Sequence, residues 1–453
     1  MLAIDLAKLK SVSLARLAAF DILRKVEDGA FSSVLLATED EDLKHVDSAL
    51  CHELVLGVLR WQLQLDRIIE HYANRRIDNL DLSVRLALRL GLYQLRFLSR
   101  VPASAAVNES VNLIAHARVR SAQGLVNAVL RRATREPDYD ASADTSDPIE
   151  RIAIETSHPV WLIERWANSF GLEESREFAR ANNQTPPAAI RVVNARASES
   201  EILSKLRLAG ASVSASTVTG GAWRVFGAQS LLRDLARSGE IYLQDEASQL
   251  VARVVGAEAE GRVLDLCAAP GGKTTQIADL AGGRCFIVAS DISARRLKTV
   301  TRAVETQGVN GIRCLVLDAH HALPFSDGLF DRVLVDAPCS GTGTLRRNPE
   351  IRYRISAADI PKLATRQKQF LLNAASVVKL GGRLIYSTCS VETEENEEVV
   401  NTFLGTTDHF RQILVPVSSF LLTDSGSART WPQHHGTDGF FIAAFERTKI
   451  DEG

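Results

Sequence analysis

In the first third of the chain, apolar residues recur every three or four positions. The pattern runs through Leu14, Leu17, Phe20, Ile22 and Leu23, then through 50–61 and 86–97. That spacing predicts amphipathic helices as far as about residue 136. Gly29, Gly57, Gly91, Pro102 and Gly124 are the sparse breakers here and read as helix ends. Residues 137–148 are small, acidic and bounded by prolines, which predicts a linker. From 149 to 245 the pattern is mixed. Helical spacing around 161–166 breaks at Pro186-Pro187, and a strand-like run at 189–193 and a helix-like piece at 198–208 follow, predicting a small α+β module. From 246 to 448 short apolar runs alternate with helical stretches. Strands are expected at 263–267, 285–289, 312–317, 332–335 and 383–387, with a last run at 440–445. Such alternation predicts a parallel, doubly wound α/β sheet.

Composition changes this picture little. The 453 residues, 45% of them hydrophobic, suit a soluble protein of several domains. The net charge of −2 names no partner, but its distribution is uneven. Residues 85–135 hold nine arginines against one acid, Glu109. The opening residues, with acidic Asp5 and no long apolar run, read as a helix approach rather than a secretory leader. No run reaches the roughly 18 apolar residues of a spanning helix. Six cysteines in such a chain are then expected reduced, in the cytoplasm, with no membrane partner.

Two cysteines stand out by position. Asp336-Ala337-Pro338-Cys339 and Ser387-Thr388-Cys389-Ser390 each follow an apolar strand, and ligands of open α/β sheets collect beyond the carboxyl ends of the strands. Two thiols and a carboxylate at that edge suit nucleophilic chemistry. Cys51, Cys285 and Cys314 read as packing residues. A zinc site is not expected, because no paired Cys-x-x-Cys or Cys/His spacing occurs, and His320-His321 and His434-His435 lack partners at ligand spacing.

The loop after the first strand of this region, Cys267-Ala268-Ala269-Pro270-Gly271-Gly272-Lys273, leads into a helix. Small residues there let backbone approach a ligand, and the helix start offers free N–H groups. The loop is neither a P-loop, which would need glycine at Cys267, nor a Gly-x-Gly-x-x-Gly fingerprint. Asp291, Asp318 and Asp336 end successive strands, and Asp291 stands about twenty residues past the loop, where an acid holds ribose hydroxyls. Together they describe one cofactor cradle.

These motifs, with Gln244-Asp245-Glu246-Ala247-Ser248 and Asp438-Gly439-Phe440-Phe441, resemble those of the bacterial 16S rRNA cytosine-C5 methyltransferases of the Fmu/Sun (RsmB/NOP) family. The helical first third, 1–136, resembles a NusB-like RNA-binding domain. The resemblance implies an all-α NusB-like domain, a small α+β module that contacts RNA, and a Rossmann-like methyltransferase sheet with a hairpinned antiparallel last strand. It implies S-adenosyl-L-methionine as cofactor, wrapped by Cys267 to Lys273, with Asp291 on its ribose, Asp318 near the adenine and Asp336 near its amino-acid end. The implied partner is 16S rRNA or a small-subunit assembly intermediate, met by a monomer. The last strand departs from the family pattern at Ala444 and Phe445.

Cytosine C5 is too weak a nucleophile to accept a methyl group unaided. Attack of a thiolate on C6 makes the ring enamine-like and raises electron density at C5. Asp336 is the candidate to protonate or hydrogen-bond N3, and a second thiol is suited to removing the C5 proton or releasing the adduct. Chemistry alone does not say which cysteine attacks. The resemblance assigns attack to Cys389 and release to Cys339. An alternative class is a non-catalytic RNA-binding assembly or antitermination factor, or a methyltransferase of another RNA. For RNA contact, Arg85, Arg89, Arg96 and Arg100 fall within about 60° on one helix face, and Arg346 and Arg347 follow the Pro-Cys loop.

Overall fold

The computed structural model describes residues 12–38, 45–256 and 261–448. The reading of the first eleven residues as a helix approach lies outside them. The chain divides into two compact units. One runs to Gln184 and includes Leu345–Arg354, and the other comprises Thr185–Thr344 and Ile355 onward.

The first unit is helical. Its centre is the helix Leu82–Phe97, started by Asp81, whose carboxylate accepts from Ser83 N. Every residue from Leu86 to Gln94 is buried, so this helix is enclosed by its neighbours rather than amphipathic. Gly57 and Gly91 do not end helices. They sit inside His45–Ala73 and Leu82–Phe97, where helices cross closely. A Cβ on Gly57 would overlap the Tyr93 ring, and one on Gly91 would lie 2.6 Å from Leu130. Hydrophobic periodicity cannot separate a glycine that stops a helix from one that admits a neighbour.

The 137–148 segment does not close this unit. The Tyr139 ring stacks on His71 at 3.7 Å and its carbonyl accepts from Arg96 at 2.7 Å. Helices Pro148–Thr156, Val160–Phe170 and Leu172–Ala181 continue the same unit. The unit also incorporates the decapeptide Leu345–Arg354. Glu350 accepts from the Ser32 N–H (2.8 Å), fully buried Arg352 donates to the Ser157 carbonyl (3.1 Å), and Tyr353 donates to the Leu59 carbonyl (2.8 Å).

The second unit holds two sheets. The smaller is antiparallel, with β1 (Ala188–Val192), β2 (Ser212–Ala215), β3 (Ala222–Phe226) and β4 (Ile241–Leu243) in the order β2-β3-β1-β4. The larger contains β5 (Gly261–Asp265), β6 (Cys285–Asp291), β7 (Ile312–Val316), β8 (Phe330–Asp336), β9 (Val378–Thr388), β10 (Phe410–Ile413), β11 (Ala428–Arg429) and β12 (Phe441–Arg447). Its order is β10-β12-β9-β8-β5-β6-β7, and β5 through β9 are parallel. β12 inserts antiparallel between β9 and β10, as the resemblance implied. Ala444 and Phe445 are buried in it and serve packing. The sequence reading omitted β10 and β11, which are too short to show a period. Buried Arg191 of β1 donates to Thr275 (2.9 Å) and Gln307 (2.6 Å), tying the small sheet to the helices that follow β5 and β6. Because β5 to β9 run parallel, their carboxyl ends gather at one edge, and the loops that carry chemistry meet there.

Candidate active site

β8 and β9 pair with Asp336 opposite Ser387, and the Ala337 N–H extends the ladder to the Ser387 carbonyl at 2.9 Å. This register sets Cys339 and Cys389, three and two residues further on, against each other. Their sulfurs are 3.3 Å apart. Gly343 N donates to the Cys389 carbonyl (2.9 Å), and Gly439 N to the Gly343 carbonyl (2.8 Å). A side chain on Gly343 would overlap the Gly439 carbonyl, so the Pro-Cys loop, the Thr-Cys loop and the approach to β12 meet at backbone contact.

The Asp336 carboxylate accepts from Lys273 Nζ on one oxygen (2.7 Å) and from Ser387 Oγ on the other (2.7 Å). Burial opposes charge on Lys273, but the Asp336 carboxylate outweighs it and the ammonium pKa is raised. The ammonium also lies over the Phe440 ring, 5.2 Å from its centre. Asp336 is thus an ion-paired acceptor. Lys273 is the donor that stands beside it. The Cys339 thiol is pushed well up by its hydrogen bond with Cys389, by burial and by the negative charges of Cys389 and Glu395.

A cavity of about 220 Å³ opens beside the thiols. Cys267, Ala269, Asp291, Asp318, Asp336, Cys339 and Cys389 are among the residues that line it. Of the Cys267–Lys273 loop, Cys267 and Ala269 are the residues in the lining. Pro270 is exposed and Ala268 buried, outside the lining. Gly271, at φ +106°, packs on Val300, where a Cβ would come to 3.1 Å, and Gly272 faces Tyr242. Asp291 is nearly buried and accepts from Ser293 N (2.9 Å) and Arg296 (3.1 Å), while Asp318 accepts from His320 N (2.9 Å). Three carboxylates and two thiols lining one cavity fit a cationic methyl donor bearing ribose and adenine.

Two acids escaped the sequence reading. Asp265, at the end of β5, is buried, and burial and neighbouring Asp336 push it up to about 7 against the opposing hydrogen bond from Thr274. Buried Glu395 accepts from Ser340, Ser390 and Gln367. Glu395 stands in the acidic run Glu392-Thr393-Glu394-Glu395-Asn396-Glu397-Glu398, and nothing in that run distinguishes the carboxylate that accepts from both Ser340 and Ser390. Among the described residues there is no group of His, Cys, Asp and Glu that could hold a metal. Cys51 and Cys285 are buried, whereas Cys314 is exposed on edge strand β7 and is not a core packing residue.

The arginine stripe is mostly structural. Arg89 is 3% exposed, bidentate to Asp66 (2.7 and 2.8 Å) and bonded to Glu27 (2.8 Å). Arg96 serves the Tyr139 carbonyl and Arg85 is half-buried. Arg346 is buried in the decapeptide and Arg347 half-buried. Only Arg100 of the six is exposed, and it lies beyond the helix end at Phe97. The acids that neutralise Arg89 lie outside the 85–135 window, so a local charge count missed them.

Acid-tipped parallel strands, an inserted antiparallel strand and paired thiols at one edge define a Rossmann-like methyltransferase that uses S-adenosylmethionine. Residues 252–446 match the model of 16S rRNA methyltransferase RsmB/F, 13–135 that of the NusB family, and 158–229 that of the RsmF/B-like ferredoxin-like domain. The probable ribosomal RNA small subunit methyltransferase B of Bacillus subtilis is 33% identical over 97% of this chain and 100% of its own. The corresponding protein of Pseudomonas putida is 34% identical over 97% and 99%. The chain belongs to the RsmB/F family of small-subunit rRNA methyltransferases. The crystal structure of PH0851 superposes with a TM-score of 0.83 at 27% identity, covering 96% of this chain and 99% of that one. A methyltransferase homologue from Pyrococcus horikoshii gives 0.57 at 26% identity over 67% of this chain.

Proposed function

We propose that the protein methylates C5 of a cytosine in 16S rRNA through a covalent bond between Cys389 and C6. The observation that carries this reading is the pair of sulfurs 3.3 Å apart beside the Lys273–Asp336 ion pair. Only one thiol is needed for attack. A second at contact distance is explained by a step that undoes the first.

The target base must leave its stack to admit a thiol to C6. Lys273 donates to the acceptor edge at N3, where charge builds as C6 is attacked, and Asp336 accepts from the exocyclic amine. The Cys389 thiolate bonds to C6, and the displaced π-electrons reach C5. Asp291, Asp318, Cys267 and Ala269 would hold S-adenosylmethionine, whose electrophilic methyl group would be taken up by C5 with the sulfur leaving as the neutral thioether. C5 then carries both methyl and proton. With Cys389 bonded to C6, neither its charge nor its hydrogen bond raises the Cys339 pKa any longer. Cys339 gives its proton to solvent and, as thiolate, takes the proton from C5, the C5–C6 double bond re-forms and Cys389 leaves with the pair of its S–C6 bond. The substrate is rRNA, free or in an assembly intermediate, and the compartment the cytoplasm. No helix among the described residues is long and apolar enough to cross a membrane.

Bisulfite mapping of rRNA from a deletion strain tests the reading. One 16S signal disappears, returns with the wild-type chain and does not return with Cys389→Ser. An unchanged methylcytosine map refutes it.

A further inference from the structure

Behind the two thiols, the buried carboxylate of Glu395 is occupied entirely by the loops that carry them and the helix beneath. Its Oε1 accepts from the Ser340 N–H (2.9 Å) and from Gln367 Nε2 (2.9 Å). Its Oε2 accepts from the hydroxyls of Ser340 and Ser390, each at 2.5 Å. Ser340 follows Cys339 and Ser390 follows Cys389, so one side chain bridges the residues next to both sulfurs. The carboxylate is itself fixed. The Tyr386 hydroxyl donates to the Glu395 carbonyl at 2.6 Å, and Gln367 also donates to the Pro338 carbonyl at 3.0 Å.

The two loops depend on it unequally. Ser340 gives Glu395 both its backbone N–H and its hydroxyl, whereas Ser390 gives only the hydroxyl. The Cys389 side has independent support, because Asn396 donates to the Ser390 carbonyl (2.9 Å) and accepts from Thr388 Oγ1 (2.6 Å). It also continues directly from β9. Removing the carboxylate therefore loosens the Cys339 loop more than the Cys389 loop.

We propose that Glu395 is a positioning residue that holds Cys339 against the Cys389 adduct and thereby sets the rate of its release. This rests on the assignment of attack to Cys389 and release to Cys339. Glu395 touches neither substrate nor methyl donor and acts through Ser340.

The test compares Glu395→Gln and Ser340→Ala with Cys339→Ser, using a 16S rRNA transcript and labelled S-adenosylmethionine. Three quantities are read: methyl transfer in a single turnover, steady-state turnover, and protein–RNA adduct that survives denaturing gels. Both Glu395→Gln and Ser340→Ala should transfer the first methyl at nearly the wild-type rate, turn over about tenfold more slowly, and accumulate adduct as Cys339→Ser does. The KM for RNA should not move. The inference is overturned if adduct stays at the wild-type level in both variants while Cys339→Ser accumulates it. It is equally overturned if first transfer falls in proportion to turnover, since Glu395 would then serve Cys389 or the fold. Should Glu395→Gln not fold, Ser340→Ala decides alone. If Cys339→Ser itself traps no RNA, the cysteine assignment fails first, and this inference with it.

Discussion

Asp336 and Ser387 face each other across β8 and β9, and the serine hydroxyl donates to the carboxylate at 2.7 Å. The pairing has two effects. It locks the carboxylate that holds Lys273, and it fixes the strand register from which both thiols are launched. Register in a sheet is discrete, so a one-residue slip would turn each side chain to the opposite face. The active site thus inherits its geometry from a β-ladder and not from loop flexibility.

The ion pair gives the first prediction. Asp336→Asn keeps the shape but leaves a Lys273 ammonium that is largely buried and uncompensated. Turnover should fall by on the order of 100-fold, and the fold should lose about 2 kcal/mol. Methyl incorporation and denaturant melts measure the two effects. Full activity in Asp336→Asn would remove the pair from the chemistry.

The thiols give the second. Cys389→Ser should form neither product nor adduct, whereas Cys339→Ser should trap RNA covalently on the protein. Denaturing gels with labelled RNA read the outcome. Adduct with Cys389→Ser but not with Cys339→Ser would reverse the roles.

Asp265 predicts a pH dependence. Its folded pKa of about 7 lies above the ordinary carboxyl value, so the folded state binds the proton more tightly. Its contribution is fully present below about pH 4, is lost as pH rises, and is gone above about 7, a change of at most roughly 4 kcal/mol. Asp265→Asn mimics the protonated acid and can still accept from Thr274. Stability curves should show it equal to wild type near pH 4 and more stable at pH 8. Parallel curves for the two proteins would contradict this.

Close helix packing predicts that Gly57→Ala destabilises the helical unit by about 2–3 kcal/mol, because its Cβ would overlap the Tyr93 ring. Combining it with Tyr93→Leu should recover part of the loss, a non-additivity that calorimetry would detect. Strict additivity would place the strain elsewhere.

Arg89 and Arg100 separate structure from RNA contact. Arg89→Ala strands Asp66 and Glu27 and should cost about 3–5 kcal/mol, with RNA affinity of the folded protein unchanged. Arg100→Ala should leave stability alone and weaken RNA binding, with a shallower salt dependence. The reverse pattern would restore the stripe as an RNA face.

Strand-exit chemistry was legible in the chain because period, turn residues and reactive side chains are all local. The positions of Cys267, Asp291, Asp318, Asp336, Cys339 and Cys389 follow from where apolar runs stop, and parallel strands then bring the stops together. Helices in the first third were legible for the same reason. Partners distant in sequence were not. Asp66 claims Arg89 from 23 residues away, Glu395 clamps Ser340 from 55, and the decapeptide with Arg346 joins the helical unit from far along the chain. Nor could the sequence tell a helix-ending glycine from Gly57, whose missing side chain matters only because Tyr93 is there. The chain by itself determined which elements form and which reactive groups they carry. Tertiary structure decided which charges are free, which carboxylates are spent and which thiol faces which, because those depend on desolvation and on contacts that only the packed fold creates.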